Sequence, residues 1–398
     1  MYAYNDFTAG RVIIAINKDC VQQITPASFE NSIFGIEINS IEVLFQNRGP
    51  ADNDDNIGAI VMIHLRTNNP QAVIRAIERL TENPCVVFAE PDFYLEPHVI
   101  PNDPYFGELW GLRKIECPSA WSYAVGTGDV IVGVTDSGIN SDHPDLRDNV
   151  WTAPRGQGKR GWNFEENNNQ CLDNTGHGTH VAGTVGAVGN NYMGVTGVNW
   201  RVTLASLKIG NSVFNMAAAI NAIDYANRNR IQILNNSWGT KFFSSSLKYA
   251  IDHYGGLFVV SAGNSGTNND IAPVYPCSYN SKNLISVAAV NRDNDLAAFS
   301  NYGAVSVDIA APGTDILSTS LGSRYSYLDG TSMAAPHVAG AAALLKGYRP
   351  ELTPLEIKDI ILSNADKNAR LSGKVLTGGT INIKKMFESV SVRLVPAK

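Results

Sequence analysis

The chain has 398 residues, of which 44% are hydrophobic and 17% charged, with a net charge of −6. That apolar share excludes a disordered chain and suffices for a large core. The mild acidity argues against a nucleic-acid-binding surface, and no apolar run reaches the roughly 18 residues of a membrane span.

The length allows two or three domains at about 100–200 residues each. The opening stretch, MYAYNDFTAGRVIIAINKDC, does not read as a signal peptide: Val12–Ile16 is a short apolar run with no basic lead. The chain therefore stays in the cell, has a signal outside this sequence, or leaves by another route. Cys20, Cys85, Cys117, Cys171 and Cys277 are sparse and odd in number. They suggest neither a disulfide framework nor a zinc set, and free buried thiols are expected.

In chain order, residues 1–100 hold 6 Lys+Arg against 13 Asp+Glu, while the remainder is nearly neutral. Strand-like runs occupy 11–17, 36–45, 59–65 and 86–95. Between the last two, PQAVIRAIERLTEN places Val73, Ile74, Ile77 and Leu80 at helical spacing. A small α+β domain is expected over 1–100, closing on an extended linker marked by Pro97, Pro101 and Pro104.

Residues 101–398 alternate differently. VIVGVTD, TLASLKI, IQILNNSW, LFVVSAG and LISVAAV are short apolar runs, as in strands buried on both faces. Helical stretches separate several of them: HGTHVAGTVGAV, FNMAAAINAIDYANRN and a run from about Ser332 to Tyr348. Such alternation predicts an α/β domain with a doubly wound parallel sheet, whose sites lie at the carboxyl ends of strands.

Three glycine-bracketed polar clusters stand out, the first at a strand end and the other two opening helices, so that they can converge at one edge of the sheet. They are Val134-Thr135-Asp136-Ser137-Gly138, Gly176-His177-Gly178-Thr179-His180, and the run from Gly330 through Ser332 to His337. A serine hydroxyl becomes a useful nucleophile when an imidazole takes its proton and a carboxylate fixes that imidazole. A helix N-terminus adds backbone N–H groups near a developing oxyanion. Each cluster alone has a plainer reading. Asp136 could cap a turn and Ser332 a helix. His177 and His180 could be a metal pair, but no carboxylate or cysteine completes a zinc set at familiar spacing. The motif of lipases and esterases, G-x-S-x-G, fails at Ala334.

Taken together, DSG, HGTH and GTSMAAPHVAG in this order resemble the subtilisin-like serine proteases, the subtilases; the Asp, His, Ser order is that of subtilisin itself. The resemblance spans roughly residues 103–390. It implies a subtilisin-like fold and a serine endopeptidase acting on proteins or peptides, with Asp136, His177 and Ser332 as the triad. It implies that Asn264, in Ser261-Ala262-Gly263-Asn264, is the side-chain donor of an oxyanion hole, while His180 and His337 are structural. Ser237, Trp238 and Gly239 would edge the substrate groove. Ala262 and Gly263 would form another wall of the first specificity pocket, and Val274 would shorten its base. An intact triad argues against a relative that only binds peptide.

Calcium (Ca2+) is implied by the same resemblance. Carbonyls of Gly189, Met193 and Val195, the side chain of Asn191, and the carboxylates of Asp103 and Asp145 would be its ligands, an all-oxygen set. Residues 1–100 resemble, less closely, the ferredoxin-like propeptide of subtilases, with only Pro26–Asn31 left for its first helix. That likeness implies a prodomain that assists folding and inhibits, with its tail, about Glu96–Ile100, in the substrate groove. Self-cleavage is expected between about Pro97 and Asp103. A monomer without nucleic-acid or membrane partners is expected. Calcium ligands and a long prodomain favour secretion; the missing signal and odd cysteine count favour the cytoplasm.

Overall fold

The computed structural model describes residues 7–23, 32–33, 35–46, 56–94, 99–152 and 160–391. It divides into two units, Met1–Glu96 and Pro97–Lys398.

In the first unit, β1 (Phe7–Asn17), β2 (Ser32–Ile33), β3 (Ile36–Gln46), β4 (Ile57–Leu65) and β5 (Val86–Phe93) form an antiparallel sheet, with α1 (Pro70–Thr81) preceding β5. The order is β2-β3-β4-β1-β5. Alternate residues Val12, Ile14 and Ile16 of β1 meet Val73, Ala76 and Leu80 of α1, so strand and helix periods converge on one core. Asn69 starts α1 by accepting the Ala72 N–H at 2.7 Å, and Pro70 occupies the first turn, where its missing N–H costs nothing. The expected first helix at Pro26–Asn31 lies outside the described residues; a 3₁₀ turn, Lys18–Gln23, precedes it.

The expectation of free thiols fails for two of the five cysteines. Cys20 and Cys85 form a disulfide, with Cα atoms 5.6 Å apart. The cause is strand pairing. Antiparallel β1 and β5 place Ile16 opposite Val86, so the chain just past β1 meets the chain just before β5. Cys117, Cys171 and Cys277 are free and buried.

The second unit opens with α2 (Trp110–Lys114) and α3 (Cys117–Ala120). There follow β6 (Ile131–Asp136), β7 (Gly161–Asn163), α4 (His177–Gly186), β8 (Thr203–Lys208), α5 (Met216–Arg228), β9 (Ile233–Asn236), α6 (Ser245–Asp252) and β10 (Leu257–Ser261). The remainder is β11 (Leu284–Val290), β12 (Ile309–Pro312), the hairpin β13 (Ile316–Ser320) and β14 (Arg324–Leu328), α7 (Thr331–Tyr348), α8 (Pro354–Ser363), β15 (Asp366–Lys367), β16 (Gly379–Thr380) and α9 (Ile383–Ser391). Nine strands run in the order β15-β16-β12-β11-β10-β9-β6-β8-β7, parallel except for β15. Val132, Val134 and Val259 point into a core with α4 and α7, while Leu234, Phe258 and Val260 point into a second core with α5 and α6. Burial on both faces is why these strands read as unbroken apolar runs. Among the described residues, no helix is long and apolar enough to cross a membrane.

The strand order places the site. From β6 the chain runs out to the edge strand β7, returns to β8 beside β6, then crosses to β9 on the other side of β6 and continues to β10, β11 and β12. That reversal opens a crevice at the carboxyl ends of β6 and β9. Asp136 ends β6, and Asn236 ends β9, with Ser237 next.

Candidate active site

Asp136 is fully buried. Its Oδ1 accepts the Ser137 N–H at 2.7 Å and faces His177 Nδ1 at 2.8 Å. His177 is the first residue of α4, and Gly178 lets that helix start so close: a Cβ there would sit 2.2 Å from the Gly138 carbonyl oxygen and 3.1 Å from Asp136 Cβ. Burial alone would lower the imidazole pKa, but the Asp136 charge and hydrogen bond outweigh it and raise the value above 6.5. With a carboxylate as its acceptor, Nδ1 carries the proton, leaving Nε2 as the basic nitrogen.

Ser332 is the second residue of α7. Its hydroxyl donates to the Ser237 carbonyl at 3.3 Å, and the Ser237 hydroxyl donates back to the Ser332 carbonyl at 2.9 Å. The serine is therefore held against the strand edge and is not hydrogen-bonded to His177 in this state. Catalytic hydrogen bonds of free enzymes are often loose and tighten with substrate.

Asn264 is exposed, and its amide is oriented from behind. Oδ1 accepts the Thr331 N–H and hydroxyl, both at 2.8 Å, and Thr331 Oγ1 accepts the Gly263 N–H at 3.1 Å. Nδ2 is left to donate outward, beside the N-terminus of α7. Trp238 is pinned through Nε1 to the Thr135 carbonyl at 3.1 Å. Val274 closes on Gly239: a Cβ on Gly239 would meet Val274 Cγ1 at 3.1 Å. A cavity of about 730 Å³ lies before His177, lined by Ile209, Phe214, Met216, Trp238 and Gly239.

Asp173 is missing from the sequence expectation. Buried before α4, it accepts hydrogen bonds from Ser137 Oγ (2.9 Å), Thr175 N (2.9 Å), Gly176 N (3.0 Å) and Thr179 N (2.9 Å). Burial would raise its pKa, but these donors lower it below 3.8. The carboxylate holds the loop that delivers His177. Its one sequence signal is an Asp four residues ahead of that histidine. His180 and His337 do not share the site. His180 Nε2 faces the carbonyls of Ile316 and Ser326, and His337 Nδ1 donates to the Met333 carbonyl; burial lowers both pKa values to about 4.

Three of the expected calcium ligands, Asp103, Asp145 and the Asn191 side chain, lie close together. Asp145 Oδ1 accepts from Asn191 Nδ2 and Oδ2 from the Val195 N–H, both at 2.9 Å. Asp103 Oδ2 accepts the Asn190 N–H at 2.7 Å. Its Oδ1 is buried without a hydrogen-bond partner among the described residues. Burial raises the Asp103 pKa, and the Asp145 charge adds to the rise. A buried oxygen without a donor, near a second carboxylate and an amide, fits a hard cation. No cluster of three His, Cys, Asp or Glu occurs among the described residues, so the other donors would be carbonyls and the Asn191 amide.

A parallel sheet with a switch-point crevice, an Asp–His pair and a serine at a helix start define a hydrolase of the serine-nucleophile type. The chain belongs to the subtilase family, whose profile matches residues 127–378, and it is a serine endopeptidase. It is 36% identical over 309 residues to a thermophilic serine proteinase of Bacillus sp. strain AK1, covering 76% of this chain and 72% of that one. Thermitase of Thermoactinomyces vulgaris is 36% identical over 294 residues, covering 72% of this chain and 99% of thermitase. The solved structure of a protease from Pseudoalteromonas arctica superposes with a TM-score of 0.62 at 31% identity, covering 73% of this chain and 99% of that one.

Proposed function

We propose that the chain is a self-processing zymogen in which Ser332 is the nucleophile, His177 the base and Asp136 its orienting carboxylate. The 2.8 Å contact between His177 Nδ1 and Asp136 Oδ1, at the crevice beside the start of α7, carries this reading. His177 Nε2 takes the Ser332 hydroxyl proton as Oγ leaves the Ser237 carbonyl and attacks the peptide carbonyl carbon. Asn264 Nδ2 and the Ser332 N–H stabilise the oxyanion. His177 then gives that proton to the departing amine as the C–N bond breaks. Water, deprotonated by the same imidazole, attacks the acyl-enzyme and releases the acid and the serine. Ser237–Gly239 and Ala262–Gly263 edge the groove, with Val274 at the base of the first specificity pocket.

The N-terminal unit assists folding and keeps the enzyme inactive until cleavage between about Pro97 and Asp103; residues 95–98 lie outside the described residues. Asp103, Asp145, Gly189, Asn191, Met193 and Val195 hold calcium, which supplies a structural crosslink. The enzyme acts as a secreted monomer on protein or peptide substrates.

Intact mass spectrometry of the purified chain over time, beside Ser332→Ala, tests the reading. The expected result is a parent that splits near residues 97–103 and a variant that stays whole. Equal splitting of both would overturn it.

A further inference from the structure

Beneath the pocket walls lies a chain of buried polar side chains that the catalytic reading does not use. Asn269, Cys277 and Asn301 are at most 1% exposed. Asn269 Nδ2 donates to the Ala262 carbonyl at 2.9 Å and to Cys277 Sγ at 3.2 Å. The Cys277 thiol donates to the Val274 carbonyl at 2.9 Å. Asn269 Oδ1 accepts from Asn301 Nδ2 at 2.9 Å, and Asn301 Oδ1 accepts the N–H groups of Ser265 (2.8 Å) and Thr267 (3.2 Å) on the Asn264 loop. The two ends of this chain grip segments that are distinct in sequence. One carries Ala262–Asn264 and the other Val274, which closes on Gly239.

We propose that Asn269, with Cys277 as its arm, is a positioning device that sets the separation between the Ala262–Asn264 wall and Val274, and so the size of side chain accepted before the scissile bond. The proposal rests on these segments being walls of the first specificity pocket. Removing the Cys277 sulfur deletes the side-chain donor to the Val274 carbonyl, which keeps only the Ser278 N–H at 2.9 Å, while leaving every wall residue in place. Burial pushes the thiol pKa up to about 12, so it remains a neutral S–H donor at working pH. Each polar atom in such a network is costly to orphan, which makes one arrangement strongly preferred.

The test measures kcat and KM for paired peptide esters with alanine or phenylalanine before the scissile bond. It uses the full chain allowed to mature, carrying Cys277→Ala, Cys277→Ser, Asn269→Leu or Val274→Gly. Val274→Gly should shift the phenylalanine-to-alanine ratio of kcat/KM by about tenfold, as pocket-filling changes do. Cys277→Ala and Asn269→Leu should move the same ratio severalfold, mainly through KM, and Cys277→Ser, which keeps a donor, should restore it. If Val274→Gly shifts the ratio but a folded Cys277→Ala leaves it unchanged, the device is refuted and the pocket reading stands. An unchanged ratio in Val274→Gly refutes the pocket reading and the device with it. Melting curves separate a general loss of stability, which would lower both substrates alike. Should Asn269→Leu not fold, the milder cysteine pair decides the matter.

Discussion

Ser237 caps the backbone of Ser332. Its hydroxyl donates at 2.9 Å to the Ser332 carbonyl, which lacks the usual helical partner because the residue four positions on is Pro336, inside α7. Proline at that point would leave a poorly hydrated acceptor at the start of the helix, and the strand edge satisfies it. Ser237→Ala should therefore cost about 1–3 kcal/mol of stability, the range for orphaning one such group. It should also lower kcat more than KM, because the proposed nucleophile loses its backbone anchor. Denaturant unfolding with steady-state kinetics checks both.

Asn264 depends on Thr331. Asn264→Leu removes the outward donor and should lower kcat by about 10²–10³-fold with little change in KM, the range for one oxyanion donor. Thr331→Val removes one of two bonds to Oδ1 and the acceptor for the Gly263 N–H. It should cost less, about tenfold at a loss near 1.4 kcal/mol. A Thr331→Ser variant that recovers the activity would assign the effect to the hydroxyl.

The pH profile follows from His177. Its pKa lies above 6.5 because the Asp136 charge overcomes burial, and the base must be neutral. kcat/KM should therefore rise with pH through a limb placed above 6.5, and Asp136→Asn should move that limb downward while cutting kcat by roughly 10⁴-fold. The stability contribution has the opposite sense. The folded pKa is raised, so the His177–Asp136 pair stabilises fully below about pH 6.5, the unfolded value, and loses that contribution as pH rises through the folded value. Urea titrations of Ser332→Ala against pH read this directly.

Asp103→Asn removes a ligand charge at the proposed calcium site. Chelator should lower the melting temperature of the mature enzyme, and Asp103→Asn should shrink that response while weakening calcium uptake measured by calorimetry. A melting temperature indifferent to chelator would refute the site. Tyr325, whose hydroxyl donates to Asp145 Oδ2 at 2.8 Å, should reinforce it. Tyr325→Phe is expected to raise the calcium concentration needed for full stability.

The disulfide joins residues 65 apart in sequence. Closing a loop of that size stabilises by roughly 2–4 kcal/mol. Cys20→Ser should lower the first unfolding transition of Ser332→Ala accordingly. Reducing agent should reproduce the effect in the parent and leave Cys20→Ser unaffected.

Much of this architecture was legible because the local chemistry was unambiguous. The glycines around Asp136, His177 and Ser332 mark turns at strand and helix ends, and the apolar runs of β6, β8 and β10 mark strands covered on both faces. What escaped was relational. Asp173 looks like any loop aspartate until six backbone and hydroxyl donors converge on it. Thr331 reads as filler between Gly330 and Ser332, and Asn269 as one polar residue in a polar loop. Cys20 and Cys85 became partners through the register of β1 and β5, which neither strand encodes alone. The helix α6 and the hairpin β13–β14 also escaped. Their sequences are mixed and short, and tertiary packing decides them.

The crossover from β8 back to β9 bears on the order of biosynthesis. Chain growth delivers Asp136, then His177, then Asn264, and Ser332 only after the hairpin β13–β14 has emerged. A nascent chain halted before α7 would have a charge-paired imidazole but nothing to attack with, and Asn264 would lack Thr331 to orient it. The long sequence separation of these parts also makes assembly slow. On the roles proposed for these residues, hydrolytic power is thus withheld from the growing polypeptide until most of the sheet is available to fold.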